Sequence, residues 1–299
     1  MITPIYKIVY KFTDEKKTIF VKDESFNITG SIKYRPAKNI IKKAYENHII
    51  DKNTMIFDVT SGNMGIALAA VAKEYGNPST FYMPKFMSEE RKTMLKDLGA
   101  NFVLTNSFEE AFSLAENNKD GYYCRQFENP YNVEAYFEFA DEILKKIPAI
   151  PAFIAGVGTG GTLIGTGRYL KEKIPTRLIA VEPKESLILS TGINHGEHEI
   201  QGLSDGFIPQ IYDESLVDEI ISVSSTDSIS MAQALNSKFS LHVGISSGTN
   251  FLASVLSKID GAVTVFPDSS DRYKSTRLSD KKIHSEIVDL IELISLELL

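Results

Sequence analysis

The segment AGVGTGGTLIGTG, residues 155–167, constrains the fold more than any other. It follows the apolar run PAFIAGV (151–157) and opens the helical run TLIGTGRYLKEK (162–173). A strand, a glycine turn and a helix in that order aim backbone N–H groups and a helix N-terminus at one point, which suits an anion. Two more segments read as strand, polar turn and helix: DVTSGNMGIALA (58–69) and VGISSGTNFLA (243–253). A fourth, DESFNITGSIKYRPA (23–37), puts Lys33 after a turn and before the helical run AKNIIKKAYENH.

The same alternation runs along the chain. Strands are expected at 54–59, 79–84, 101–105, 151–157, 177–183 and 261–268, and helices at 66–76, 88–100 and 162–173. Strands alternating with helices imply βαβ units and parallel sheets. KKIPAIP places two prolines near 145–151, a candidate domain seam. The last stretch, SEIVDLIELISLELL (285–299), has an apolar stripe with acids between and reads as a docking or dimer helix. The 299 residues suffice for two domains sharing a cleft.

Composition narrows the partners. Net charge is −7, which argues against nucleic acid or an anionic membrane. No apolar run has the length of a membrane span, and the N-terminus lacks a signal-peptide core, so a cytoplasmic location is expected. Cys124 is the single cysteine and reads as a packed thiol. His195 and His198, in a polar glycine-containing loop, read as solvated rather than as metal ligands.

The glycine segment has rival readings. Gly156, Gly158 and Gly161 satisfy G-x-G-x-x-G, and Glu182 closes the next strand roughly 20 residues on, where a dinucleotide fold holds its ribose. A tight turn without a ligand is the plainer alternative. Three polar helix starts and one phosphate loop instead suggest a small anionic ligand gripped from several sides.

TGSIKYRPA, TSGNMG, GVGTGGT, GISSG and PDSSDRY together resemble the signature segments of the cysteine synthase and cystathionine β-synthase family, in order and spacing, from about residue 20 to about 277. The resemblance implies an α/β fold of two domains, each a largely parallel twisted sheet flanked by helices, with pyridoxal 5'-phosphate in the cleft between them (fold type II). The expected boundaries are 27–132 for a smaller mobile domain, with 1–26 and 133–299 forming the larger. It implies a homodimer acting on a small amino acid, L-cysteine or an activated serine. Lys33 would form the Schiff base and move the α proton, which requires a partly neutral amine. Gly158, Thr159, Gly160, Gly161 and Thr162 would hold the phosphate, Asn63 the ring hydroxyl, and Ser246 the pyridine nitrogen. Thr60, Ser61, Asn63, Met64 and Gln126 would receive the substrate. Serine at the ring nitrogen gives a weaker electron sink than aspartate and suits β-elimination.

Two departures from the family pattern direct the reading. Met64 stands where the family usually has threonine, removing a hydroxyl, and IQGLSDGFIP (200–209) carries Asp205 where the family has a small apolar residue. A carboxylate there repels an incoming hydrosulfide by roughly 1–4 kcal/mol, and it can take a proton from water. The expected reaction is therefore L-cysteine in, sulfide out through an aminoacrylate, and serine formed by water addition. A turn-capping aspartate is the alternative for that residue. Cysteine synthesis from O-acetylserine and thioether formation are the alternatives for the reaction, and a nicotinamide enzyme is the outsider. Ser270 also stands where glycine is usual, and no module is expected after the catalytic region.

Overall fold

The computed structural model describes residues 2–60, 62–193 and 196–299. Its strands are β1 (Ile5–Phe12), β2 (Glu15–Asp23), β3 (Ile56–Val59), β4 (Ser79–Pro84), β5 (Asn101–Thr105), β6 (Tyr122–Tyr123), β7 (Ala152–Gly156), β8 (Arg177–Pro183), β9 (Glu219–Val223), β10 (Ala262–Phe266) and β11 (Ile291–Leu298). Its helices are α1 (Tyr34–Glu46), α2 (Asn63–Tyr75), α3 (Glu89–Asp97), α4 (Phe108–Asn117), α5 (Pro130–Lys146), α6 (Gly161–Lys171), α7 (Ile188–Thr191), α8 (Ser225–Phe239), α9 (Ile245–Leu256) and α10 (Glu286–Asp289). The strands form two sheets. One has the order β5-β4-β3-β6 and is parallel throughout; the other runs β11-β1-β2-β10-β7-β8-β9. In the second sheet β2 to β9 are parallel, while β11, β1 and β2 pair antiparallel. The α/β class with largely parallel sheets is as expected.

The large sheet is covered on both faces. Ile154, Val181, Phe251 and Phe266 belong to one apolar cluster, and Phe139, Phe153, Ala180 and Val265 to another. Central strand β10, AVTVF, is buried at every position, the pattern of a parallel strand covered on both sides. The small sheet packs on Ile40, Leu68, Val71 and Phe81.

Three expectations about local structure need correction. The 145–151 segment is no seam. Ile143, Ile147, Ile150 and Phe153 share one core cluster, so the prolines bend the chain inside a single layer. Val243 makes only an isolated bridge, to Ser269, and α9 starts immediately at Ile245 instead of after a strand and turn. The 285–299 stretch holds one helical turn, α10, and then strand β11, which pairs with β1. The cause is a bulge. Val9 pairs with Ser295 and Tyr10 with Leu293, so Ile294 is the extra residue. Leu293 and Leu296 therefore both pack inward three residues apart, and that spacing imitates a helical period. The N-terminal hairpin also escaped notice. Its turn, Thr13 and Asp14, has φ of 46° and 69°, the left-handed pair of a tight two-residue hairpin.

A buried ionic cluster anchors the helix that follows Lys33. Arg35 donates through Nε and Nη2 to Glu24, at 2.8 Å each, and through Nη1 and Nη2 to Glu142, at 2.9 Å each. Lys22 Nζ reaches Glu142 at 2.8 Å, while Thr3 and Asn27 donate to Glu24. Glu24 is fully buried, and its neighbours are satisfied only while it is charged. Glu24→Gln is expected to lower the unfolding free energy by about 3–5 kcal/mol in denaturant titrations. A loss below about 1 kcal/mol would contradict this account of the cluster.

Candidate active site

A cleft of about 750 Å³, open mouth included, is lined by Lys33, Asn63, Met64, Arg91, Gln126, Gly158, Thr159, Gly160, Thr162, Gln201, Asp205 and Ser246, among others. The sequence-expected residues thus meet at one place, with exceptions. Gly161 is not on the cleft wall, and its N–H donates to Thr159 Oγ1 (3.4 Å). Ser61 lies outside the described residues, as does His195. Thr60 is buried behind its loop, where Oγ1 accepts the N–H groups of Gly62 (2.9 Å) and Gly65 (3.0 Å). It braces the loop and is not on the cleft wall.

The phosphate-type loop runs from β7 into α6. Gly160 has φ +89°, a conformation glycine adopts without strain. A Cβ on Gly158 would lie 2.0 Å from the Gly202 carbonyl oxygen, and one on Gly161 would lie 2.2 Å from Asn132 Oδ1. The loop is thus pressed between the Asp205 stretch and α5, with its amides at the N-terminus of an 11-residue helix. Gly158→Ala is expected to cost about 1–3 kcal/mol of stability. It should also weaken cofactor retention, read by dialysis and absorbance; wild-type retention would remove Gly158 from the site.

Lys33 precedes α1, and its amine makes no hydrogen bond or ion pair among the described residues. Burial pulls its amine below the usual range, while the charges of Asp205 and Asp268 pull it back up. Asp205 is similar. Water in the cleft reaches its surface, yet surrounding protein desolvates the carboxylate. Burial pushes its pKa up to about 6, against the pull of Lys33 and Arg91. It accepts no hydrogen bond among the described residues, so it is not a turn cap. The backbone around it is held by other groups. Ser204 N–H donates to Val157 O at 3.0 Å, and His198 Nε2 lies 3.1 Å from Ser204 O.

Asn63 is fixed from both ends. Its Nδ2 donates to Asp268 Oδ2 (2.7 Å), and its Oδ1 accepts from Arg272 Nε (2.7 Å). A carboxylate only accepts and a guanidinium only donates, so this assigns the amide orientation and leaves one amide hydrogen without a partner among the described residues. Tyr273 OH also donates to Asp268 Oδ2, at 2.8 Å. Gln126 lines the cleft while its Nε2 donates to Val59 O (2.6 Å). Met64 packs into the small-sheet core and presents an apolar wall where a hydroxyl was expected from the family pattern. Ser246 sits in the first turn of α9, buried, on the cleft wall. Ser270 opens a short turn with ordinary negative φ, so replacing the usual glycine strains nothing.

Sequence reading missed Arg91, Gln201, Asp268, Arg272 and Tyr273. Three of these lie inside the quoted PDSSDRY, so that motif was a usable signal; SEERK gave none. Cys124 is buried as expected, and burial raises its thiol pKa well above the usual range. The dinucleotide reading fails at Glu182. That acid is buried and accepts Leu189 N–H (2.8 Å) and Ser190 Oγ–H (2.5 Å), so it caps the next turn. No described helix is long and apolar enough to cross a membrane.

A half-buried lysine whose amine has no partner among the described residues, a glycine loop at a helix N-terminus and a serine at another helix start form the donor set for an aldehyde-bearing phosphate cofactor. The comparisons agree. Residues 2–268 match the family described as "Pyridoxal-phosphate dependent enzyme". A cysteine synthase of Helicobacter pylori is 37% identical over 290 residues, covering 91% of this chain and 94% of that one. A hydrogen sulfide-producing enzyme from Fusobacterium nucleatum superposes with a TM-score of 0.94 at 39% identity, covering 99% of this chain and 95% of that one. An Asp-to-Asn mutant of that enzyme, captured with an α-aminoacrylate intermediate, has a TM-score of 0.93 at 40% identity, covering 99% and 96%. The chain belongs to the cysteine synthase family of pyridoxal-phosphate-dependent enzymes. Its chemistry is of cysteine synthase type, on small amino acids.

Proposed function

We propose that this enzyme takes L-cysteine, releases hydrogen sulfide from the β carbon and adds water there to give L-serine. One observation carries the reading: Asp205 presents to the cleft a carboxylate with no hydrogen bond among the described residues, within electrostatic reach of Lys33. When bound, pyridoxal phosphate supplies the electron sink that lets the α proton leave and the C–S bond break. The remaining work belongs to the chain. The amides of Gly158 to Thr162, with the Thr159 and Thr162 hydroxyls, hold the phosphate. Asn63 offers its remaining amide hydrogen to the ring hydroxyl, and Ser246 serves the ring nitrogen. Lys33 holds the cofactor and moves the α proton. Asn63 and Met64, on the loop that Thr60 braces, receive the substrate with Ser61 and Gln126. Asp205 accepts a proton from water as it attacks the β carbon. Its charge also opposes return of hydrosulfide.

The test is L-cysteine supplied alone, with sulfide and serine assayed in equal amounts. Absence of sulfide, with brisk cysteine formation from O-acetylserine, would favour the synthase reading suggested by the names of the relatives. A base works deprotonated. Serine formation should therefore fall as pH drops through about 6, the value to which burial raises Asp205. A rate flat from pH 5 to pH 8 would count against that role.

We also propose that residues 27–132, which contain the small sheet, move as a unit against 1–26 and 133–299, and that two chains form a homodimer. Light scattering reads the second proposal, and substrate-dependent hydrogen exchange along the cleft rims reads the first.

A further inference from the structure

Helix α3 follows small-sheet strand β4, yet its first turn is tied to the 272–275 segment across the cleft. Ser88 Oγ donates to the Arg272 carbonyl (3.3 Å), and Ser275 Oγ donates to Glu90 (2.8 Å). Arg91 reaches furthest. Its Nη1 donates to Gln201 Oε1, its Nη2 donates to Tyr273 OH at 3.2 Å, and its guanidinium lies 5.2 Å from the Tyr273 ring centroid. The residue is 1% exposed. Gly62 leaves its path clear, since a Cβ there would lie 2.2 Å from Arg91 Cδ. Gln201 stands on the same stretch as Asp205, and both line the cleft with Arg91.

We propose that Arg91 is a positioning residue for Asp205: through Gln201 it clamps the stretch carrying that carboxylate, and it holds a permanent positive charge toward it. The inference rests on the role proposed above for Asp205. The charged groups bearing on Asp205 are Lys33, before α1, and Arg91, on α3. Glu197 and His198 line the pocket on the other side of the stretch. Lys33 changes charge as it carries protons, whereas a guanidinium stays charged throughout. Arg91 is therefore the constant cation, and it keeps a desolvated acid ionised near neutral pH.

Three variants separate the two functions. Arg91→Met keeps the stem and loses both charge and fork. Arg91→Lys keeps the charge and loses the fork. Glu90→Gln weakens the docking of α3 without touching Arg91. The readouts on holoenzyme are the pH profile of serine formation and hydrogen exchange over 200–206, with cofactor absorbance as the check on folding. Arg91→Met should raise the acid limb by about one pH unit and speed exchange. Arg91→Lys should speed exchange and keep the limb, and Glu90→Gln should alter neither. A cofactor-loaded Arg91→Met protein with wild-type limb and exchange overturns the proposal, as does an equal shift in Glu90→Gln. If Arg91→Met fails to load, exchange in Arg91→Lys decides: wild-type rates overturn the clamp. If the wild type itself makes no serine from cysteine, the functional reading fails, and exchange in Arg91→Met still decides the clamp.

Discussion

Lys33→Ala should abolish sulfide release, lowering turnover by about 10³-fold or more, and the bound cofactor's colour should change or vanish. The expectation follows from the surroundings of the amine. The Lys33 amine makes no hydrogen bond or ion pair among the described residues, and burial holds its pKa below normal. A lowered pKa makes the neutral, nucleophilic amine easier to reach. No other lysine lines the cleft. Absorbance spectra before and after borohydride, together with a sulfide assay, check this. A Lys33→Ala protein that kept the wild-type spectrum and turned over cysteine would overturn the assignment of the whole site.

The second large effect is expected at Asp205. Asp205→Asn keeps the shape and removes the charge, so serine formation should fall by about 10²–10⁴. Release of sulfide in the first turnover should persist, because Lys33 and the phosphate loop are untouched. The two steps then separate in time: a burst of sulfide, followed by slow serine. Serine and sulfide continuing in step at the wild-type rate would remove Asp205 from the water-adding step.

Much of this was legible in the chain because local rules agree with the fold. The glycines of 155–167, the strand–loop–helix at 58–69 and Lys33 ahead of α1 each encode a helix start, and three helix starts converge on one cleft. What stayed hidden was set by contacts remote in sequence. Arg91 meets Tyr273 across 182 positions and Gln201 across 110, and no period or motif in SEERK announces it. Asn63 was expected to meet the cofactor ring hydroxyl, and the sequence did not show that Asp268 and Arg272 also hold its amide. Strand β11 was misread because a single bulged residue, Ile294, converts an alternating pattern into a helical one.

That bulged strand has a consequence for how the chain is made. Residues 5–12 lie between 15–23 and 291–298 in the large sheet. Residues 5–12, made early, therefore wait for residues 291–298, made about 280 residues later, before both edges are paired. Until then, one edge of the N-terminal hairpin is an open template, rich in Ile, Val and Tyr, of the kind that recruits strands from other chains. Shortening the chain before residue 291 should thus cost soluble yield rather than chemistry, since every cleft residue precedes that point.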